Sequence, residues 1–367
     1  MNMTLRKASL WALAALTMAL GSCRKVDADI SSTSVLNASA NRTAMDEYIE
    51  REVTSPYNIQ IYYRYTESEI GRNWVTSPAN EYNSLQFVNV LKYLFLEPYT
   101  EVMGVDFVRR FTPQAFVLTG LLAYNPPPSN SNTRASTVNG VKIIFMNINS
   151  FDFPSLKQYY HTLDSLKTVL ETDTSVQAEY DQWKTWLDGQ NSTYLERLKD
   201  VYLRTMYHEA AHTFHQRVEP TTDFDKITSL DYRQADWISG WTREGKKSIE
   251  YGFITNYASQ EPHEDFAELF GNYVILSADE WEAKLVSADV IPAGRTRSGR
   301  SIIEEKIRII KDYMLNTWGL DMDKLRAQLH ARYPNFARQD FTTMTSSNTQ
   351  QCTIRRSSPS LRALSFG

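Results

Sequence analysis

The chain has 367 residues, of which 42% are hydrophobic and 22% are charged. This length and composition allow one large domain or two small ones with a sizeable core, and they exclude disorder as the default state. The formal net charge is −4. The chain therefore has no basic excess of the kind that marks nucleic-acid-binding proteins, and no nucleic-acid partner is expected.

The first residues have the pattern of a secretory signal. Arg6 and Lys7 precede an apolar run at 8–21, which is shorter than the ~20 residues that a membrane-spanning helix needs. A charged start, a short apolar run and small residues before a break predict a cleaved signal peptide over residues 1–22.

The residues around the predicted cleavage site resemble a lipoprotein N-terminus. Leu20-Gly21-Ser22-Cys23 resembles the lipobox of bacterial lipoproteins, which implies cleavage before Cys23, lipidation of that residue and a lipid anchor to the membrane. Lys25 with acids nearby partly resembles the surface-export signal of Bacteroidetes lipoproteins. That resemblance implies an outer-membrane lipoprotein exposed at the cell surface, with a periplasmic orientation as the alternative. The second cysteine then has no intramolecular partner, so neither a disulfide nor a cysteine-based metal site is expected.

Composition divides the rest of the chain into regions. Residues 23–44, rich in Ser, Ala and Asn, predict a flexible tether, and the tail at 342–367 is predicted to be loose. Between them we predict one domain over residues 45–341, with a sheet-containing part at 45–150 and a helical part at 151–341.

Hydrophobic periodicity predicts the elements of this domain. Alternating or apolar runs predict strands at 58–65, 115–124 and 141–148, and helical spacing predicts a helix at 83–103. From residue 155 onward the pattern is helical almost throughout. The predicted fold class is therefore α+β, with a small mixed sheet followed by a helix-rich half.

Capping patterns predict where two of the later helices begin. Thr193-x-x-Glu196 matches a capping box and predicts the start of a long helix that runs through Arg217. A similar pattern beginning at Ser301 predicts another helix, which stops at Gly319.

The first of these helices carries the sequence His208-Glu209-Ala210-Ala211-His212. His208 and His212 are four residues apart, so both imidazoles project from one helical face and can hold one metal ion. Glu209 is rotated towards the side where a metal-bound water would sit. The spacing thus supplies two nitrogen ligands and a general base, which a zinc hydrolase requires. The alternative is a pair of hydrogen-bonded histidines on a surface helix.

A zinc site of this kind needs a further protein ligand. His215 follows His212 by three residues, but no Gly and third His come at the metzincin spacing, so we interpret His215 as a structural or rim histidine. The downstream cluster of acids with helical continuation is YASQEPHEDFAELF, residues 257–270. Pro262 suits the first turn of a helix there, where the dipole favours negative charge.

Several polar residues in this stretch compete for the ligand role. Glu264 and Glu268 are four residues apart and share one helical face. His263, beside Glu264, is a rival ligand. Glu261 and Asp265 are interpreted as surface or capping acids.

The two motifs together resemble a known family. His208-Glu209-x-x-His212 followed by Tyr257-x₆-Glu264-Asp265-Phe266-Ala267-Glu268 resembles the gluzincin metallopeptidases. The layout is similar to the catalytic domain of anthrax lethal factor and to zinc-binding peptidase lipoproteins of Bacteroidetes that are associated with substrate import. The motif-bearing match spans residues 200–275, and the first 150 residues carry no motif that would imply a substrate.

This resemblance implies a zincin-like metallopeptidase domain and a role for each matched residue. It implies that His208, His212 and Glu264 bind one Zn²⁺ and that Glu209 takes a proton from the zinc-bound water. It further implies that Tyr257 donates a hydrogen bond to the oxyanion. Glu268 is implied to accept a hydrogen bond from a ligating imidazole and so to orient it.

The predicted function is a zinc-dependent peptidase that acts on peptides or proteins. It is expected to be anchored by lipid in the outer membrane and to be tied to an import complex. One alternative is an inactive lipoprotein that binds peptides or glycopeptides and keeps a structural zinc. Another is a hydrolase of non-peptide amides or esters.

Overall fold

The computed structural model describes residues 42–64, 67–70, 76–125 and 131–344. The predicted signal peptide, Cys23, nearly all of the predicted tether and most of the predicted tail lie outside the described residues. The chain divides into two compact units, Met1–Asp46 and Glu47–Gly367. The sheet and the motif-bearing helices belong to the second unit.

The described part of the chain is mostly helical. The α-helices are Ala44–Ile49, Ser55–Tyr57, Glu67–Ile70, Glu81–Leu91, Glu97–Met103, Val105–Phe111, Lys157–Leu170, Gln177–Leu198, Arg204–His215, Asp223–Ile227, Gly240–Arg243, Pro262–Ile275, Ala278–Ala288, Gly299–Trp318 and Met322–His330. Three π-helical stretches continue such helices, at Glu50–Thr54, Lys92–Leu96 and Lys199–Leu203. None of the described helices combines the length and apolar character needed to cross a bilayer.

A small mixed sheet lies in the first part of the unit. Its described strands are β1 (Gln60–Tyr62), β2 (Ala115–Leu118), β5 (Ala135–Val138) and β6 (Lys142–Phe145), and a separate hairpin pairs β3 (Ala123–Asn125) with β4 (Ser131–Thr133). The sheet order is β1-β2-β6-β5. The first three strands in this order are parallel, and β5 is antiparallel to β6 at the edge. The predicted α+β class, with a small mixed sheet ahead of the helices, is confirmed.

Most of the predicted elements have counterparts in the structure, with different ends. The helix predicted at 83–103 begins two residues earlier and contains a π-helical stretch. The strand predicted at 115–124 is wrong as one element, because β2 ends at Leu118. There the N–H of Gly120 bonds the carbonyl oxygen of Ser77 instead of extending the ladder.

Both capping boxes predicted from the sequence are wrong. Thr193 lies inside the helix Gln177–Leu198, and its hydroxyl donates to the carbonyl oxygen of Gly189 one turn earlier. The later helix begins at Gly299, with Ser298 accepting from the N–H of Ser301. Its predicted stop is confirmed, since Gly319 caps it in the left-handed conformation with φ 72°.

Two helices form the centre of the second unit. We call Arg204–His215 the histidine helix and Pro262–Ile275 the carboxylate helix. They pack closely because Gly271 has no side chain: a Cβ there would lie 3.2 Å from the backbone nitrogen of His208 and 3.3 Å from the carbonyl oxygen of Arg204. Such a separation is tighter than ordinary van der Waals contact. The pairing therefore fixes the acids of one helix against the histidines of the other.

Candidate metal centre

The histidine helix aims two ring nitrogens at one point. Every residue from Met206 to His215 is buried, and the helix continues without a break from the π-helical stretch before it. The Nε2 atoms of His208 and His212 lie 3.0 Å apart. This is the arrangement expected for histidines spaced by four on one helical face.

The carboxylate helix brings Glu264 to the same point. Pro262 opens this helix, as predicted, and Glu264 lies in its first turn. Its Oε2 lies 3.1 Å from Nε2 of His208 and 3.4 Å from Nε2 of His212. Burial raises the pKa of this carboxyl, but the two histidines outweigh burial and hold the pKa well below its usual range. The ionised carboxylate is also the form in which a glutamate binds a metal ion.

The three donor atoms fit a zinc ion. For Zn–N and Zn–O distances of about 2.0–2.1 Å, tetrahedral geometry separates neighbouring ligand atoms by about 3.3 Å. The observed separations of 3.0, 3.1 and 3.4 Å are close to this edge length. Moreover, Oε2 of Glu264 is buried without a hydrogen-bond partner in the described part of the chain. A buried carboxylate oxygen without a partner is costly unless a cation contacts it.

Glu268 lies behind His208, one turn after Glu264. Its Oε1 is 3.0 Å from Nδ1 of His208, and its Oε2 accepts a hydrogen bond of 2.6 Å from the hydroxyl of Thr255. Burial raises the pKa of Glu268, but His208, Arg204 and the Thr255 hydroxyl together hold that pKa below its usual range. The carboxylate can thus orient the imidazole through its second nitrogen.

His215 and His263 stand outside the group of converging donors, which comprises His208, His212 and Glu264. His215 is 4% exposed, and its Nε2 lies 2.5 Å from Nδ1 of His212. The ring of His263 stacks on that of His215 with centroids 4.5 Å apart, and its Nε2 lies 2.7 Å from Oε1 of Glu219. The rival ligand is thus directed towards a surface acid.

Glu209 is held by the edge of the sheet. Its side chain is buried, and Oε2 accepts a hydrogen bond of 2.5 Å from the hydroxyl of Thr137 in β5. The same hydroxyl lies 3.1 Å from the carbonyl oxygen of Glu209. The carboxylate therefore has a fixed orientation beside the histidines, although it is not one of the converging donors.

Tyr257 lies on the wall of the cleft that opens onto the site. The cleft has a volume of about 1070 Å³ and is lined by His208, Glu209, Trp237 and Tyr257, among others. The Tyr257 ring is 5.8 Å from the His208 ring and meets Trp237 edge-on at 4.9 Å. Burial and the nearby carboxylate of Glu264 raise the pKa of Tyr257 above its usual range. The phenol therefore keeps its proton and can donate a hydrogen bond.

The interpretation of Asp265 as a surface or capping acid is wrong. Asp265 and Lys306 are both 0% exposed, and the ammonium bonds Oδ2 of Asp265 at 2.5 Å. The hydroxyl of Tyr232 donates to the same oxygen at 3.0 Å. Glu261, in contrast, is exposed at the start of the carboxylate helix and makes no side-chain cap. The buried pair ties the first turn of the carboxylate helix to the helix Gly299–Trp318.

Lys306→Met is expected to lower the free energy of unfolding by about 3–5 kcal/mol, because it leaves the Asp265 carboxylate buried without its cation. Urea unfolding of the metal-free protein measures this loss. Lys184→Met is the matched control. It removes one partner of an exposed pair with Asp188, and such pairs contribute little to stability. A Lys306 variant as stable as this control would contradict the structural role of the pair.

Two residues at the site were not predicted from the sequence. Thr137 lies on a short strand 72 residues before Glu209, and Thr255 lies in a turn before the carboxylate helix. Each residue contributes a single hydroxyl and lies outside any motif, so no pattern in the sequence indicates its role. The hydrogen bonds to Glu209 and Glu268 form only when the sheet edge, the turn and the helices pack together.

The chain matches one known protein family across most of its length. That family is described as "Putative zinc-binding metallo-peptidase", and the match covers residues 38–185 and 185–323. The chain belongs to this family. Zinc is accordingly its cofactor, and His208, His212 and Glu264 are the described residues that can hold the ion. Among proteins with curated functions, none matches this chain.

A solved structure shows the same fold. It is the crystal structure of "a putative zinc-binding metallo-peptidase" from Bacteroides caccae, which aligns with the present chain with a TM-score of 0.56 and 23% sequence identity. The alignment covers 83% of this chain and 99% of the other. At this identity the likeness establishes the fold.

Proposed function

We propose that this chain is a zinc-dependent peptidase that hydrolyses amide bonds with Glu209 as its general base. The observation that carries the proposal is the convergence of three donor atoms from His208, His212 and Glu264, separated by 3.0–3.4 Å, with a further, oriented carboxylate beside them. Membership of the zinc-binding metallopeptidase family supports the same reaction class.

The chain's own residues divide the chemistry between them. Zinc, when bound, supplies a Lewis acid that polarises the scissile carbonyl and makes water more acidic. Glu209 takes the proton of the attacking water and passes it to the departing amine. The Thr137 hydroxyl keeps the carboxylate turned towards this task. Tyr257 donates a hydrogen bond to the oxyanion as the carbonyl carbon becomes tetrahedral.

The outer edge of β5, with which no other described strand of this sheet pairs, favours a peptide as substrate. Immediately before β5, the carbonyl oxygen of Arg134 accepts a hydrogen bond from the N–H of Met146. Because bonded and non-bonded residues alternate in an antiparallel pair, Ala135 and Thr137 direct their backbone groups away from β6. Ala135 lines the cleft, and Thr137 contacts the base. An extended peptide added to this edge would lie beside Thr137, whose hydroxyl holds the carboxylate of Glu209.

Membrane anchoring and import association are further parts of the proposal. They are supported by the lipobox ending at Cys23 and by Lys25 with its neighbouring acids, all outside the described residues. We propose an outer-membrane lipoprotein whose peptidase domain faces the cell exterior and serves an import complex. Replacing Cys23 by Ser should release the protein from the outer-membrane fraction, and surface proteolysis of intact cells reports the orientation.

Digestion of a peptide library tests the proposed reaction. The full chain, purified in detergent and loaded with one equivalent of zinc, should generate new peptide N-termini that mass spectrometry detects. A chelator should abolish them, and added zinc should restore them. Binding of library peptides without any cleavage would favour the alternative of a peptide-binding lipoprotein.

A further inference from the structure

We propose that His215 is a positioning residue for the metal ligand His212, and that it sets how tightly this chain holds zinc. Its Nε2 accepts the hydrogen bond from the Nδ1–H of His212 and so fixes both the tautomer and the ring plane of that ligand. The inference rests on the zinc site of the proposed function and adds a partner that neither the motif nor the family match assigns.

The arrangement of ring nitrogens determines the direction of this hydrogen bond. Nε2 of His212 points at His208 and Glu264, so a metal held there takes the lone pair of that nitrogen. The proton of the neutral imidazole must then be on Nδ1. Since Nδ1 is 2.5 Å from Nε2 of His215, His215 must offer a lone pair, and its own proton must be on Nδ1. In this tautomer pair one proton lies between the two nitrogens, with Nδ1 of His212 as its donor.

The surroundings of His215 hold its ring in the accepting orientation. The ring is buried, and it lies between two aromatic neighbours. Phe266 meets it edge-on with centroids 6.0 Å apart, and His263 stacks on it with an angle of 9° between the planes. His263 is in turn fixed by its 2.7 Å contact with Glu219. A ring packed in this way loses little further freedom when it accepts a hydrogen bond.

The two histidine ligands therefore have different supports. His208 faces a carboxylate, Glu268, at 3.0 Å, whereas His212 faces a neutral imidazole. A carboxylate acceptor increases the basicity of its imidazole more strongly than a neutral acceptor does. His215 therefore acts mainly by orienting the ring of His212. Another neutral hydrogen-bond acceptor at position 215 should be able to do the same.

The test compares His215→Phe with His215→Gln. Phe keeps an aromatic ring for the stack but removes the acceptor, whereas Gln brings a carbonyl oxygen close to the position of Nε2. Partners behind zinc ligands typically contribute ~10–100-fold in metal affinity. We expect His215→Phe to weaken zinc binding by about that factor and His215→Gln to restore most of it. Competition with a chromophoric chelator measures the affinity of the full chain purified in detergent.

Replacing zinc by cobalt provides a spectroscopic measurement that should not change if His215 contributed only to packing. The d–d absorption bands of bound Co²⁺ report ligand geometry, so they should shift in His215→Phe and return towards those of the natural chain in His215→Gln. His161→Phe is the matched control, because His161 is an exposed histidine on the helix Lys157–Leu170. It should change neither affinity nor spectrum.

Each outcome decides the proposal. If His215→Phe binds zinc as tightly as the natural chain, or if Gln fails to improve on Phe, the positioning role is refuted while the zinc site stands. If the Phe variant does not fold, His215→Leu replaces it in the comparison with Gln. A natural chain that binds no zinc would refute both this role and the proposed function.

Discussion

Glu209→Gln is expected to retain zinc and to lower the rate of peptide hydrolysis about 10³-fold, within the ~10²–10⁴-fold range of general acid–base catalysis. The amide has the size of the carboxylate and can still accept from the hydroxyl of Thr137, so the site should keep its shape. It has no lone pair basic enough to take the proton of the attacking water. Zinc should stay bound because Glu209 is not among the three converging donors.

The measurement is the initial rate of cleavage of the best library peptide, together with zinc content by atomic absorption. Glu261→Gln is the matched control, since it makes the same chemical change at another glutamate lining the cleft, one that makes no cap at the helix start. It should cleave at nearly the natural rate. Full activity in Glu209→Gln would overturn the assignment of the base, and loss of zinc would mean that Glu209 is a ligand.

The helices themselves could be predicted from the sequence better than their ends. Periodicity placed helices over 83–103 and from residue 155 onward, and these predictions hold because buried faces repeat regularly. Capping boxes failed because Ser and Thr also bond carbonyl groups one turn earlier inside a helix, as Thr193 does with Gly189. Side-chain patterns alone do not distinguish these two uses of a hydroxyl.

The two converging histidines were predictable because their spacing follows from helical geometry, whereas Glu264 was predicted from the residue offsets of the family that the motifs resemble. His208 and His212 are separated by one turn, as are Glu264 and Glu268, and the structure brings both pairs together across the two packed helices. Asp265 was not predictable, because its partner Lys306 lies 41 residues later on another helix. From the sequence alone an acidic residue next to a motif is most simply interpreted as exposed. Its burial becomes evident only when the position of the helix that packs over it is known.

The packing of the histidine helix against the carboxylate helix fixes the position of the Glu264 carboxylate. The absence of a side chain at Gly271 allows the close approach, and the buried Asp265–Lys306 pair fixes the first turn. Glu264 lies in that same turn. The position of the Glu264 carboxylate is thus set by the backbone contact at Gly271 and by the ion pair between Asp265 and Lys306. A rigid carboxylate costs less entropy to bring to a metal than a mobile one would.

Glu264→Gln is accordingly expected to remove most zinc binding. Structural zinc sites with four protein ligands have apparent binding free energies of about 10–16 kcal/mol, or about 2.5–4 kcal/mol for each ligand, so losing one ligand should weaken binding on the order of 10²–10³-fold. The amide oxygen is a much poorer zinc ligand than the carboxylate it replaces. Chelator competition on the purified full chain measures the change, and unfolding curves of the metal-free forms check that the fold is kept.

His263→Gln is the comparison that separates the two candidate ligands, because the residues are adjacent and the substituted side chain is the same. The ring of His263 is turned towards Glu219, so its loss should weaken zinc binding far less than the loss of Glu264. The reverse result, with zinc retained in Glu264→Gln and lost in His263→Gln, would assign the third ligand to His263. In that case the carboxylate helix would have to rotate on binding metal, which the contact at Gly271 and the buried Asp265–Lys306 pair both oppose.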